Sequence, residues 1–600
     1  MAVINPGSAG LTGETPASKA AGVSSGQTAA NEAAAVVARI AAITQVIRGI
    51  GVSAGSAVGP AVIIGDPPTV PVDEPHCLDA DADWTRVAAA IDHVATELER
   101  KATAIGGSAA EILGATAMMA RDRSLAKGIK KSLAAGKGPA GSVHAAIEDV
   151  CATFSSLGGY LAERTTDLRD VGSRVIARLL GLPEPGVPEL TVPSILVARD
   201  LAPADTAGLS PATTLAIVTE HGGPTSHTAI LAAQLGIPAV VHASGALTIA
   251  AGILLAVDGS TGTVTVAPDA DIEAQLAHRR ERRAKLLSST SGPGTTLDGH
   301  RVKLYANIGT AADAKKSAAV DLEGVGLFRT EFLFLERATA PTIADQTQTY
   351  TTVFEAFGDR TVVVRTLDAG ADKPLAFADL GPEENPALGR RGLRLSMERV
   401  ELLDHQLAAL AAAANTTGAD VRVMAPMVAT PAEAHWFAER VKAHGLPMSG
   451  VMVEVPAAAL RATQILAEVD FVSIGTNDLA QYTMAADRMQ GELAALLDPW
   501  QPALLELIGQ TATAATAQNK PVGVCGESAG DPLLALVLVG LGITSLSMAS
   551  SKVSAVRYAL AQHDLATCQQ IAQAARYADS PEAGRAAVRE LAVPELLDIL

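Results

Sequence analysis

Phe471-Val-Ser-Ile-Gly-Thr-Asn-Asp478 opens as a short apolar run and closes on two adjacent polar residues, with helical spacing after it. An apolar strand that stops at a polar tip and hands over to a helix is the repeating unit of parallel α/β folds. Outward from this stretch the unit recurs. Strands are predicted at 302–308, 324–330, 361–368, 421–428, 451–455, 521–527 and 545–550, with helical stretches between most of them. Arg329, Arg365, Asp368, Glu454, Asn477, Asp478, Cys525 and Glu527 all fall at the C-terminal ends of these segments.

Eight such units over about 270 residues are what a TIM (β/α)8 barrel requires, and the C-terminal strand ends are the face of that fold that carries chemistry. Upstream, a charged helix is predicted at 271–287, ending in Ser288-Ser-Thr-Ser-Gly-Pro-Gly294, whose composition marks a flexible linker. Before it, short strands at 194–199, 214–219, 239–241, 253–257 and 263–266 surround a helix at 228–235, and 50–64 reads as strands with glycine bends. The stretch from 84 to about 180 is amphipathic helix, so a helical part is inserted in a small α/β domain. Residues 1–46 are rich in Ala, Ser, Gly and Thr and are predicted to be a disordered extension. The expected organisation is therefore an extension at 1–46, an α/β domain at 47–83 and 182–270, and a helical insert at 84–181. A linker helix and linker follow at 271–300, a barrel at 301–575 and a helical tail at 576–600.

His221-Gly-Gly-Pro-Thr-Ser-His-Thr-Ala-Ile230 places His227 after a glycine-rich turn, at the start of the helix that follows strand 214–219. Helix N-termini present unpaired N–H groups and a positive dipole end, which attract anions and favour a neutral imidazole. A neutral ring keeps a lone pair with which to attack phosphorus. Thr225 and Ser226 add hydroxyls beside it.

The chain has 600 residues, length for about three or four domains. A formal net charge of −18 and a pI near 5.2 exclude a nucleic-acid binder, which needs clustered Lys and Arg, and suit a basic protein partner. Cys77, Cys151, Cys525 and Cys568 lie far apart with no Cys-x-x-Cys pair, which points away from a disulfide framework and toward a reducing cytoplasm. Neither a secretory leader nor a membrane-spanning run is expected.

At the barrel mouth, Arg329, Arg365 and Arg488 can converge on one polyanion, since guanidinium forks bind phosphate and carboxylate in pairs of bonds. Glu454 and Asp478 supply hard oxygen ligands suited to Mg²⁺, and Asn477 can donate to a substrate oxygen beside it. Cys525, flanked by Gly523 and Gly526, is an unperturbed thiol at this level of reading, protonated near neutral pH and able to act as an acid. Together these groups describe loss of phosphate from an enol followed by protonation of the enol carbon.

The histidine segment resembles one family in company with five further motifs in order. These are Gly326-Leu-Phe-Arg-Thr-Glu-Phe-Leu-Phe334, Glu383-Glu-Asn-Pro-Ala-Leu-Gly389, Val453-Glu-Val-Pro-Ala-Ala458, Ser473-Ile-Gly-Thr-Asn-Asp-Leu-Ala-Gln-Tyr482 and Cys525-Gly-Glu-Ser-Ala-Gly530. The family is enzyme I of the bacterial phosphoenolpyruvate-dependent sugar phosphotransferase system, and the resemblance runs from about Ile47 to the C-terminus. It implies that His227 is phosphorylated, that Arg329, Arg365, Asn477, Asp478 and Arg488 bind phosphoenolpyruvate, that Glu454 and Asp478 hold Mg²⁺, and that Cys525 donates the proton. It also implies a homodimer through the barrel and a small carrier protein, HPr, docking on the helical insert. Pro224 and Arg390 depart from the family pattern. Pyruvate phosphate dikinase and phosphoenolpyruvate synthase share the histidine domain and barrel but add a large ATP-binding domain, and no Gly-rich region of that size precedes His227. A non-catalytic phosphoenolpyruvate sensor is disfavoured because every expected catalytic residue is present.

Overall fold

The computed structural model describes residues 45–597 except 54, 66, 72–73, 76–78, 106, 158–164, 183–184, 189, 202–208, 224–226, 335–336, 338, 370–374, 376, 379–380, 382 and 489. The expected disordered extension falls outside the described residues up to 44, and regular structure starts two residues before the predicted boundary.

Strands β1 (Gln45–Arg48), β2 (Ile50–Ser53), β3 (Ser56–Ile63), β4 (Ser194–Ala198), β5 (Thr214–Thr219), β6 (Ala239–Val241), β7 (Leu254–Asp258) and β8 (Thr263–Val266) form one sheet in the order β1-β8-β7-β3-β4-β5-β6-β2. Its centre, β3 to β6, is parallel. Antiparallel pairs join β3 to β7, β7 to β8 and β6 to β2. Every residue of β4 is buried, which is why this strand reads as a continuous Ser-Ile-Leu-Val-Ala run without polar alternation.

Between the neighbouring strands β3 and β4 the chain makes an excursion through α1 (Ala80–Ile105), α2 (Gly107–Ala120), α3 (Arg123–Ala134), α4 (Pro139–Leu157) and α5 (Thr165–Leu180). These helices bury a core of their own, including Val87, Val94, Leu113, Ile129, Ile147 and Val175. α3 shows the local logic: Asp122 accepts hydrogen bonds from the backbone of Ser124 and Leu125, and Leu125, Ile129 and Leu133, one turn apart, are buried.

Helix α6 (His227–Leu235) packs against β2 and β6. Helix α7 (Ala270–Ser288) starts where the Asp269 side chain accepts from Ile272 N at 2.8 Å, and none of its residues is buried. It touches the sheet at mid-length, where Arg279 pairs with Asp258 at 3.0 Å, and it also contacts the barrel helix Val553–Ala561. The 288–294 stretch, expected as a flexible linker, makes hydrogen bonds to its neighbours. Gly292 N donates to Asp321 at 2.6 Å, Thr290 Oγ1 to Ser554 O at 3.5 Å, and Gly294 O accepts from Val302 N at 3.0 Å, so polar groups of this stretch are bonded to the barrel.

The barrel is closed and entirely parallel, running in sequence order from β9 (Lys303–Ile308) through β10 (Gly324–Arg329), β11 (Thr361–Arg365), β12 (Val421–Ala425), β13 (Ser449–Val453), β14 (Phe471–Ile474) and β15 (Val522–Val524) to β16 (Ser545–Met548), which pairs back on β9. Alternation sorts the side chains. Leu327, Val363, Met424, Met452 and Phe471 form one apolar cluster, whereas their neighbours Phe328, Val362, Val364, Val423, Val451 and Val472 belong to the larger core. Gly450 makes room for the first cluster, since a Cβ there would stand 2.4 Å from the Phe471 ring. Helices Ala311–Ala318, Ile343–Phe357 and Pro431–Ala443 each begin with a capping box, at Thr310, Thr342 and Thr430.

Except at β9, the predicted barrel strands overrun the observed ones at their C-terminal ends. The clearest case is 471–478, where the strand stops at Ile474 and α8 (Thr476–Met484) begins, so Asn477 and Asp478 stand in the first turn of a helix. Among the described residues no helix is long and apolar enough to cross a membrane.

Candidate active site

The site is assembled from residues just past the strand ends. Arg365 closes β11 and is buried, with Nη2 2.9 Å from Glu331 Oε1 and Nη1 3.1 Å from Asp368 Oδ2 and 3.8 Å from Glu454 Oε1. Burial works against its charge, but Glu331, Asp368, Glu454 and Asp478 outweigh it and hold the guanidinium above its ordinary value. Its Nε is buried with no hydrogen-bond partner. Such a donor is costly unless a ligand or water meets it.

Glu454 follows β13 directly and is 1% exposed, with Oε2 accepting from Met427 N at 2.9 Å. Gly475 permits this placement, because a Cβ there would lie 2.6 Å from Glu454 Oε1. Burial, with Asp478 and Asp368 adding repulsion, pushes the Glu454 carboxyl up to about 8 against the pull of Arg365. Asp478 is bridged by two arginines, Arg391 Nη1 at 3.1 Å and Arg488 Nη1 at 3.8 Å. Arg391 continues to Asp368 through Nη2 at 2.9 Å. The result is a buried network of alternating sign: Glu331, Arg365, Asp368, Arg391, Asp478.

Arg329 ends β10 and is exposed above a strand that is otherwise buried. Its loop is pinned, since Thr330 Oγ1 donates to Arg365 O at 2.9 Å and Gln406 Nε2 to Thr330 Oγ1 at 3.0 Å. Asn477 is exposed at the same mouth. Cys525 follows β15, buried, with its thiol donating to Ile474 O at 3.6 Å. Burial pushes the thiol up to about 11, opposed by a bond from Ser473 and by the charges of Arg365 and Arg329, so the thiol is perturbed where sequence suggested it is not, and in the direction that keeps its proton. Glu527 is exposed.

The structure thus joins Arg365, Glu454, Asp478 and Arg488 through direct ion pairs and sets Cys525 within the field of Arg365, Arg329 and Glu454. His227 is elsewhere in the chain's order of elements. It opens α6 on the sheet, its side chain lies outside the described residues, and so do Pro224, Thr225 and Ser226. Three participants escaped the sequence reading. Arg391 is the inner member of the Arg390-Arg391 doublet; Arg390 instead bonds Glu383 at 2.8 Å at the periphery. Glu331 was visible inside the Arg329-Thr-Glu motif but unassigned. Asn307, at the end of β9, donates through Nδ2 to Cys525 O at 3.1 Å and accepts from Ser547 Oγ at 2.6 Å, holding the backbone that carries the thiol.

The donor set suits a hard divalent cation. Glu454 and Asp478 are oxygen ligands in a buried cluster whose mutual repulsion a cation would relieve. Among the described residues no group of three or more His, Cys, Asp or Glu side chains is disposed to hold a metal, so two carboxylates would need substrate and water oxygens to complete the shell.

The chain, with its closed barrel bearing arginines and carboxylates at the mouth and its sheet bearing a histidine-led helix, matches the models for PEP-utilising enzymes in three stretches. The N-terminal model covers 48–164, the mobile-domain model 190–262 and the PEP-binding-domain model 283–565. The phosphoenolpyruvate-protein phosphotransferase of Streptomyces coelicolor is 49% identical over 90% of this chain and 98% of its own length. Those of Haloferax volcanii and Bacillus subtilis are each 38% identical, over 89% and 86% of this chain and 97% and 94% of theirs. The chain belongs to the phosphoenolpyruvate-protein phosphotransferase family.

Proposed function

We propose that the chain takes the phosphoryl group of phosphoenolpyruvate onto His227 and passes it to the small histidine carrier HPr, the opening step of sugar uptake by the phosphotransferase system. The observation that carries this reading is the buried network of Arg365, Asp368, Arg391, Asp478 and Glu454 at the barrel mouth, with a protonated thiol beside it. Arg329, Arg365 and Arg488 bind the phosphate and carboxylate of the substrate, Asn477 donates to one of its oxygens, and the unpartnered Nε of Arg365 gains an acceptor. Glu454 and Asp478 would hold Mg²⁺, which would neutralise charge on the transferring group.

A ring nitrogen of His227 attacks phosphorus in line, and the P–O bond to the enol oxygen breaks with its electron pair remaining on that oxygen. As the enolate becomes a ketone, its methylene carbon takes the proton of Cys525 Sγ, and the thiolate regains a proton from solvent. Pyruvate leaves. The phosphoryl group then passes from His227 to the carrier, for which the helical insert is the docking surface and Met118, 71% exposed on α2, an apolar contact. A cytoplasmic location and a homodimer through the barrel complete the reading; exposed Leu388 and Leu460 supply apolar surface for the latter.

The experiment is incubation with phosphorus-labelled phosphoenolpyruvate, Mg²⁺ and purified HPr. Label should appear first on the chain and then on the carrier, and His227→Ala should take up none. Equal labelling of the His227→Ala variant would defeat the assignment.

A further inference from the structure

Gln406 stands on the helix Val400–Thr417 among the buried Leu403, Leu407, Leu410 and Ala413, and is itself 1% exposed. A primary amide on the apolar face of a helix is costly unless its polar atoms are met. Here its oxygen and both N–H bonds are used. Oε1 accepts from Leu367 N at 3.0 Å, and Nε2 donates to Thr330 Oγ1 and to Tyr350 Oη, each at 3.0 Å. Leu367 N can only donate, so the amide oxygen must face it, which leaves the two N–H bonds for the hydroxyls. Each hydroxyl passes its own hydrogen on, Thr330 to Arg365 O at 2.9 Å and Tyr350 to Gln346 Oε1 at 3.2 Å. Burial pushes the Tyr350 hydroxyl upward, so it keeps its proton.

Two of the three partners belong to the barrel mouth. Thr330 lies between Arg329 and Glu331, just past β10, and Leu367 lies between Thr366 and Asp368, just past β11 and Arg365. Glu331 already joins the two loops, since its Oε1 accepts from Arg365 Nη2 at 2.9 Å and from Asp368 N at 3.0 Å. Gln406 adds a second link between them, from a helix rather than from a strand end, and none of its three bonds goes to a charged group. An amide does not titrate, so this link holds at any working pH.

We propose that Gln406 is a positioning residue for substrate binding: by clamping Thr330 and Leu367 it sets the distance between the guanidinium groups of Arg329 and Arg365, so that both bond one phosphoenolpyruvate. This rests on the reading that the barrel mouth binds phosphoenolpyruvate. Arg329 is exposed, so the base of its side chain is placed by the loop that carries it, and small displacements of that loop are costly to a ligand that needs both arginines.

The test uses the full chain with phosphoenolpyruvate and Mg²⁺. Gln406→Met, similar in volume but without the amide, should raise the KM for phosphoenolpyruvate by about tenfold, the scale of one hydrogen bond lost to a charged group. Labelling of His227 from phosphorylated HPr should stay within about twofold of the parent, since that step does not visit the barrel. Tyr350→Phe removes the third partner and leaves the two loop bonds in place, so it should lower the melting temperature and keep the parent KM. A Gln406→Met chain that melts lower but keeps the parent KM would overturn the positioning role, and so would a Tyr350→Phe chain whose KM rises as far as that of Gln406→Met. If Gln406→Met does not fold, Thr330→Val, which keeps the shape and removes the hydroxyl that Gln406 bonds, is compared with Tyr350→Phe under the same two outcomes. A parent chain that takes no label from phosphoenolpyruvate would instead remove the reading on which the proposal rests, and the proposal with it.

Discussion

Burial holds the Glu454 carboxyl near 8, with Asp478 and Asp368 adding to the shift and Arg365 opposing it. Its folded value lies above the ordinary 4.5, so its contribution to stability is full below 4.5 and is lost as pH rises through 8. Glu454→Gln keeps a neutral group at every pH. In chelator it should therefore melt about 2 °C above the parent at pH 9 and close to it at pH 4.5, while losing phosphorylation by phosphoenolpyruvate. A lower melting point than the parent at pH 9 would contradict the buried-charge account. The same carboxyl must shed its proton to ligate a metal, so Mg²⁺ binding at pH 7 should release protons, readable by calorimetry in two buffers of different ionisation enthalpy. Cys525 shifts in the same direction for the same first reason, burial, and reaches about 11. Alkylation by iodoacetamide at pH 8, followed on the Cys525 peptide by mass spectrometry, should run about a hundredfold slower than on a free thiol, because the thiolate fraction falls with the shift. Reaction at the rate of an exposed cysteine would remove the basis for treating it as a standing acid.

At the scale of elements, the barrel interior is set by small residues opposite large ones. Gly450 on β13 faces the Phe471 ring of β14, and a Cβ would stand 2.4 Å from it. Gly450→Ala should destabilise the chain by about 1–3 kcal/mol, the usual range for overpacking a core, measured by urea denaturation. Helix α7 bears on how the sheet and barrel can move. Its C-terminal side is fastened by Gly292 to Asp321 and by Thr290 to Ser554, whereas its start follows Ala267, whose φ of 49° is a left-handed backbone for a non-glycine residue. The ion pair at the middle of the helix, Arg279 to Asp258, has a half-exposed arginine and adds little. Movement of the histidine-bearing sheet should thus bend at 267–269 rather than at 288–294. Amide exchange should be faster at 268–271 than at 290–294, and the reverse order would return the hinge to the Ser288-Gly294 segment.

For the whole molecule, the chemistry divides between two bodies of secondary structure. The groups proposed to handle phosphoenolpyruvate are on the barrel, and His227 and the proposed carrier surface are on the sheet and its helical insert. Asp478→Ala should abolish labelling from phosphoenolpyruvate and leave labelling of His227 from phosphorylated HPr within about twofold of the parent, since that step does not visit the barrel. Loss of both in a variant that melts normally would mean that the two transfers share residues.

The order of the eight barrel strands, the helical insert between two neighbouring strands and the polar tips at the barrel mouth were legible in sequence, because alternation, helical spacing and turn residues are local properties of the chain. The strand ends were less so: Asn477 and Asp478 read as the tip of a strand because nothing local distinguishes a polar strand end from the first turn of a helix. What joins these tips was decided by tertiary structure. Arg391 bridges Asp368 and Asp478 across the mouth, Asn307 reaches Cys525 past the one strand between them, and Arg199 meets His221 from neighbouring strands. Such bonds link residues far apart in the chain, and no spacing rule encodes them. The shifts of Glu454 and Cys525 are likewise set by desolvation and by the charges gathered around them, which exist only once the chain has closed into a barrel.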